Sequence, residues 1–247
     1  MSTTSVLRRA ANTVYQRAFP LYRPLYAAYK AYADRAERDL LSKILFRGAV
    51  VADVGANIGI YSRFLSRCVG PGGLVHSFEP SGDNFARLSR ATDDLSNVRC
   101  TQAVVGERSG DCELYISDDL NVDHRAYSAG GDSRRAVSSR MVALDDYFKP
   151  GERLDLIKMD VQGYELHALR GAQRVLRENT NIKLLLELWP AGLEQAGAKW
   201  EELIELLHRL NMTVTFVRSA GSVPFDPRDV RNDISWYVNI FAHRSAG

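Results

Sequence analysis

The sequence predicts an α/β protein on a mostly parallel sheet, and three observations carry that reading. Short apolar runs alternate with stretches of helical spacing from residue 49 onward. The first run ends in an acid followed by a glycine turn, Asp53-Val54-Gly55. The chain has 247 residues, 45% hydrophobic and 25% charged, enough for one sizeable core and too apolar for a disordered polymer.

Residues 1–47 read as a helical, tyrosine-rich extension. They hold Tyr15, Tyr22, Tyr26, Tyr29 and Tyr32, five of the eleven tyrosines, and residues 1–40 carry seven Lys/Arg against three acids. Pro20 and Pro24 are expected to break this stretch into shorter helices. Tyr22, Tyr26 and Tyr29 recur at helical spacing. That suits a packing arm on the main domain or a homodimer contact; a wall over an active site and a membrane-surface helix are the alternatives.

Residues 48–247 read as the main domain. Ala49–Val54, Leu74–Phe78 and Val98–Val105 are the first three strands, with helices over Ile58–Cys68 and Asn84–Asp93 between them. Leu154–Met159 and Ile182–Leu188 follow, separated by a helix over Tyr164–Glu178, and Lys199–Leu210 is a further helix. Alternation of this kind gives βαβ units. Thr213–Val217 and Trp236–Ala242 have only a loop between them, so a C-terminal antiparallel hairpin at one edge is expected. Residues 106–153 interrupt the alternation as an insertion between the third and fourth strands. Glu113–Ile116 and Ser139–Leu144 are candidate strands within it, and long insertions of this sort are commonly functional.

The turn Asp53-Val54-Gly55-Ala56-Asn57-Ile58-Gly59 opens a helix, whose first amides and positive dipole end suit a carboxylate or phosphate. Glu79 ends the second strand, where an acid can accept from the two hydroxyls of a ribose. The G-x-G-x-x-G pattern of a dinucleotide site fails from either glycine, since Asn57 and Ile60, or Tyr61 and Phe64, stand where glycines are required. Asp53 would repel a pyrophosphate and suits an ammonium. A ligand with an amino-acid end and a ribose end, spanning Asp53 and Glu79, is S-adenosylmethionine.

Four ordered motifs then carry a resemblance. They are Asp53–Gly59; Phe78-Glu79-Pro80; Ala103-Val104-Val105-Gly106; and Ile157-Lys158-Met159-Asp160-Val161-Gln162-Gly163-Tyr164-Glu165 with Leu169-Arg170-Gly171-Ala172. From about residue 36 to 243 the chain resembles the FkbM family of class I S-adenosylmethionine-dependent methyltransferases. The resemblance implies a Rossmann-like, seven-stranded sheet and O-methylation of a small molecule, a sugar or a secondary metabolite. It gives Asp53 to the methionine ammonium, Gly55, Ala56, Asn57 and Gly59 to the methionine part, Glu79 to the ribose, and Gln102 and Ala103 to the adenine. Asp160 is expected beside the methyl donor or the acceptor, with a helix N-cap as its alternative role.

An aliphatic alcohol is a poor nucleophile, so a general base is expected. The candidate is His124, in the insertion beside Asp123; Asp160 and Glu187, at strand ends, are further catalytic site candidates. No short metal-ligand motif joins them, and none is assigned to a metal. A non-catalytic cofactor-binding module and a nicotinamide-dependent oxidoreductase are the competing readings.

Net charge is +2, which gives no electrostatic footprint for nucleic acid. No apolar run reaches the roughly 18 residues of a membrane span. Cys68, Cys100 and Cys112 are too few and too oddly spaced for a disulfide scaffold, and a cytoplasmic protein is expected.

Overall fold

The structure is a computed structural model in which residues 14–15, 18–117, 124–128 and 134–244 are described. At its centre runs β1 (Val50–Val54), with four of its five residues buried. A strand covered by helices on both faces needs apolar side chains on both, so this run shows no alternation. β2 (Leu74–Phe78) and then β3 (Val98–Thr101) lie parallel on one side. β7 (Leu156–Met159) and then β8 (Lys183–Leu188) lie parallel on the other. The chain therefore diverges at β1, and a crevice opens at the carboxyl ends of β1 and β7.

Three more strands complete the large sheet: β9 (Thr213–Arg218), β10 (Gly221–Pro224) and β11 (Val238–His243), in the order β10-β9-β11-β8-β7-β1-β2-β3. β9 and β11 pair antiparallel, as the expected hairpin requires, but β11 is not at the edge. It inserts between β8 and β9 because most of its residues are apolar and become buried. The polar strand β10, exposed throughout and containing a proline, takes the edge as an eighth strand.

The run Val98–Val105 is not one strand. β3 stops at Thr101, and Val104–Val105 (β4) pairs with β6 (Arg135–Val142) in a second sheet that also holds β5 (Gly110–Ile116). Its small core is Val104, Leu114 and Met141, and Arg125 bridges back to Tyr115. The insertion is thus a three-stranded sheet that the chain enters directly from the large one.

The helix expected over Tyr164–Glu178 is two, α6 (Glu165–Arg170) and α7 (Gln173–Glu178). They part at Gly171, where a Cβ would lie 2.0 Å from the carbonyl oxygen of Gly106, so the approach of the second sheet fixes the bend. The Asp145 carboxylate accepts from the amides of Arg174 and Val175, both at 2.9 Å, at the start of α7.

Ahead of β1 lie α1 (Phe19–Ala33) and α2 (Arg35–Ile44). Contrary to expectation, neither proline breaks α1. Pro20 sits in the first turn, where no amide is needed, and Pro24 lies on the exposed side, where the carbonyl it leaves unpaired can reach water. The break falls at Asp34. Leu41 of α2 packs with Val51, Leu65 and Phe241 on one face of the sheet. Tyr15 fixes the start of the arm: its hydroxyl donates to Asn84, and the Arg87 guanidinium lies 3.4 Å from its ring centre. Among the described residues no helix is long and apolar enough to cross a membrane.

Candidate active site

A cavity of about 700 Å³ occupies the crevice. Its floor is the turn after β1. Gly55 takes φ +79°, and a Cβ there would meet the carbonyl oxygen of Asp160 at 1.9 Å, so only glycine lets the loops after β1 and β7 close on each other. The turn's amides are already committed. Those of Gly55 and Ala56 donate to the Phe78 carbonyl, that of Ile58 to Asn57 Oδ1, and that of Gly59 to the Ala56 carbonyl. The Asn57 amide donates to Glu79 Oε2 at 2.9 Å. The expected cradle of unpaired amides is absent from this turn.

Glu79 stands on the cavity wall at the end of β2. Burial pushes its carboxyl up to about 7, against the stabilising amides of Ser81 and Asn57. Asp53 lies behind the wall instead. It is fully buried; Oδ2 accepts from Ser62 at 2.8 Å, and Oδ1 faces Lys158 Nζ at 3.7 Å without a hydrogen bond. Register explains the pair, because Asp53 on β1 sits opposite Lys158 on β7. Lys158 also reaches Asp160 Oδ2 at 3.9 Å and lies 4.8 Å from the centre of the Tyr61 ring. Burial raises the Asp53 carboxyl, and Lys158 pulls it back.

Lys158→Met is therefore expected to destabilise the fold by about 3–5 kcal/mol, because it strands a buried carboxylate. The double variant with Asp53→Asn should recover much of that loss. Urea unfolding of the two variants checks it; a mild loss in Lys158→Met would mean the pair is not coupled.

Beyond Lys158 the acids gather. The Gln162 amide, held at φ +56°, donates to Asp160 Oδ1 at 2.9 Å and to Glu187 Oε2 at 3.4 Å. Burial, and then the charge of Asp160, raises the Glu187 carboxyl well above its ordinary range. Glu165, also pushed up to about 7 by burial, does not project into the cavity. Its Oε1 accepts from the amides of Val161 and Gly163 and shapes the loop. Asp160 does not cap the helix that follows; α6 starts at Tyr164 without a side-chain cap.

Two segments close the cavity. From the arm come Tyr26, Lys30, Asp34 and Glu37. Lys30 pairs with Asp34 at 2.6 Å, and Glu37 accepts from Asn239 at 2.6 Å. Burial disfavours the Lys30 charge, but Asp160, Tyr26 and Asp34 outweigh it and hold the ammonium above its ordinary range. From the insertion come His124 and Arg125. The Arg125 guanidinium lies 5.1 Å from the Trp189 ring and donates to Gln195 at 2.5 Å, while Tyr127 donates to the Gln162 carbonyl at 2.7 Å. His124 Nδ1 accepts from the Ser117 amide at 3.2 Å, which leaves Nε2 to carry the proton of the neutral ring. Asp123 lies outside the described residues.

Residues 53–214 match the Methyltransferase FkbM domain. The chain belongs to the FkbM methyltransferase family. A hexuronic acid methyltransferase of Haloferax volcanii, AglP, is 28% identical over 58% of this chain, which spans 59% of that protein's length. The 2-O-methyltransferase NoeI of Sinorhizobium fredii is 23% identical over 74% of this chain and 81% of its own. Among solved structures, that of a candidate methyltransferase from Streptococcus mutans in complex with SAH covers 85% of this FkbM methyltransferase and 96% of that chain. Its TM-score is 0.52 at 11% identity, a likeness of fold.

S-adenosylmethionine is the cofactor of this methyltransferase, and the cavity residues fit it. The Glu79 carboxylate on the wall and the apolar slot of Phe78, Ala103 and Val104 beside it have the chemistry that a ribose diol and an adenine require. Of the residues expected from the sequence, Gly55, Ala56, Asn57, Glu79, Ala103, Asp160, Glu187 and His124 share the cavity. Gly59 packs instead against Leu88 of α4 (Gly82–Thr92), and Gln102 is exposed, its amide donating to the Pro80 carbonyl at 3.5 Å. Lys158 and Lys30 were missed. A lysine inside the apolar run Leu156–Met159, beside a second acid-terminated strand, is the signal that marked the first; a lone lysine on the arm gave none for the second.

Proposed function

We propose that the protein transfers the methyl group of S-adenosylmethionine to a hydroxyl of a small polyhydroxylated acceptor, a sugar or a secondary metabolite, in the cytoplasm. The observation that carries this reading is the Asp160–Gln162–Glu187 cluster on the wall that the cofactor floor shares. The cofactor supplies an electrophilic methyl group, so the chain has only to position the acceptor and take its proton. Glu187, raised by burial and by Asp160, matches a proton acceptor for an alcohol better than an ordinary carboxylate. Asp160 orients it through the Gln162 amide, and His124, with Nδ1 engaged, donates to the acceptor rather than accepting from it. Tyr26, Tyr61 and Trp189 give flat apolar faces for a ring, between acids that accept from hydroxyls. The names of AglP and NoeI, a hexuronic acid methyltransferase and a 2-O-methyltransferase, support a sugar hydroxyl.

Calorimetry with S-adenosylhomocysteine, followed by label transfer from methyl-labelled cofactor to a panel of hexoses and hexuronic acids, tests the reading. Binding with transfer to at least one ring hydroxyl is the expected result. No binding at millimolar concentration would remove the methyltransferase reading, and binding without transfer to any hydroxyl compound would leave a cofactor-binding module.

A further inference from the structure

The outer side of α1 carries a stripe that the tyrosine spacing hides. Leu21, Leu25, Tyr29 and Tyr32 stand 62–83% exposed, at i, i+4, i+8 and i+11 on one face. Only prolines and alanines share that exposure, and no exposed position of α1 is charged. The stripe continues across the cavity mouth, where Tyr29, Ile234 and Tyr237 are exposed and also line the cavity. An apolar face of this extent on a soluble molecule marks something that docks there.

Its position and size select the occupant. Whatever covers the stripe lies against the mouth, so it must deliver the acceptor rather than seal it out. A second copy of the chain gains too little from it: a helix of 15 residues presents a face of roughly 22 Å by 10 Å, against the ~800 Å² per partner of a stable interface. Leucine with tyrosine and proline on one side, and basic residues on the segment that carries it, is the composition of a helix lying in a lipid headgroup layer. Arg35, exposed at the start of α2, follows the stripe just beyond Tyr32, within a stretch whose sequence has seven Lys/Arg to three acids.

We propose that this face of α1 lies in the headgroup region of a bilayer and that the acceptor hydroxyl is presented there by a lipid-anchored molecule. The acceptor class rests on the methyl-transfer reading; the docking does not. Shallow seating of Leu21, Leu25 and Tyr32 places the cavity mouth at the membrane surface. A headgroup sugar then reaches Asp160 and Glu187 while its lipid stays in the bilayer.

Cosedimentation of the full-length protein with phosphatidylcholine vesicles, with and without phosphatidylglycerol, tests the docking without cofactor or turnover. The wild type is expected to partition onto vesicles, more strongly with phosphatidylglycerol. The variant Leu25→Glu/Tyr32→Glu should partition on the order of tenfold less for each residue changed. Circular dichroism and an unliganded melting curve show whether that variant keeps its fold; if it does not, Leu25→Ser/Tyr32→Ser takes its place. Wild type that stays in the supernatant with both vesicles, or partition the folded variant leaves unchanged, overturns the proposal. So does a dimer in sedimentation equilibrium that the variant splits without vesicle binding, which gives the face to a second copy. Vesicle binding by a protein that fails to bind S-adenosylhomocysteine would retain the docking and remove the methyl-transfer reading.

Discussion

Glu79→Gln is expected to abolish measurable binding of S-adenosylhomocysteine while leaving the fold intact. The carboxylate is the one acid on the wall at the end of β2, and a ribose diol presents two donors that an ionised carboxylate accepts together. An amide accepts with one atom only. Because burial pushes Glu79 up to about 7, pH acts in two opposite senses. Affinity rises with pH, by up to about tenfold per unit below 7, as the carboxylate ionises, and then levels off. Stability of the free protein moves the other way. The folded-state value lies above the unfolded one, so the folded form holds a proton that the unfolded form has lost. That stability is fully present below the ordinary glutamate range and is lost as pH rises through about 7. Glu165, also at about 7, adds a second loss of the same sign. Calorimetry and melting curves on both sides of pH 7 check both slopes. Unchanged affinity in Glu79→Gln would mean the ribose is held elsewhere.

The second large effect belongs to Glu187. Glu187→Gln should bind S-adenosylhomocysteine as the wild type does and lose about 10²–10⁴-fold in turnover on the acceptor that the panel identifies. Since burial and Asp160 hold Glu187 well above its ordinary range, wild-type turnover should climb with pH and the variant's should not. A variant that keeps the wild-type rate and pH slope would shift the proton acceptor to Asp160. The Gln162 amide keeps this pair in reach of one another, so Gln162→Leu should weaken the rate with cofactor affinity intact.

The alternation of strands and helices was legible because a covered parallel sheet needs unbroken apolar runs, and Val50–Val54, Leu156–Met159 and Lys183–Leu188 supply them. The departure at Thr101 was not. Val98–Val105 reads as one strand, and no glycine or proline marks the step between sheets at Gln102-Ala103. β10 was hidden because an exposed edge strand has no apolar face to betray it. Within the site, strand-end acids were visible as breaks in apolar runs, and Glu79, Asp160 and Glu187 do meet in one cavity. Their depth was not visible: Asp53 and Glu79 look alike in sequence, yet cross-strand register sets Lys158 against the first, whereas the second, just past the end of β2, lines the cavity. The arm's contribution depends on how α1 rotates about its axis. The tyrosine spacing marks the side that faces inward, Tyr22 and Tyr26, and carries no sign of the exposed side with Leu21 and Leu25.

The switch of the chain from one sheet to the other at Thr101–Val104 separates two inheritances. Glu79, Asp160 and Glu187 stand at strand ends of the large sheet, whereas His124, Arg125 and Tyr127 ride on a three-stranded cassette that meets it near Gly106 and Gly171. Beyond Val104, such a cassette can diverge or lengthen without touching the strand ends that carry those acids, so new acceptors can evolve by editing one contiguous stretch of gene.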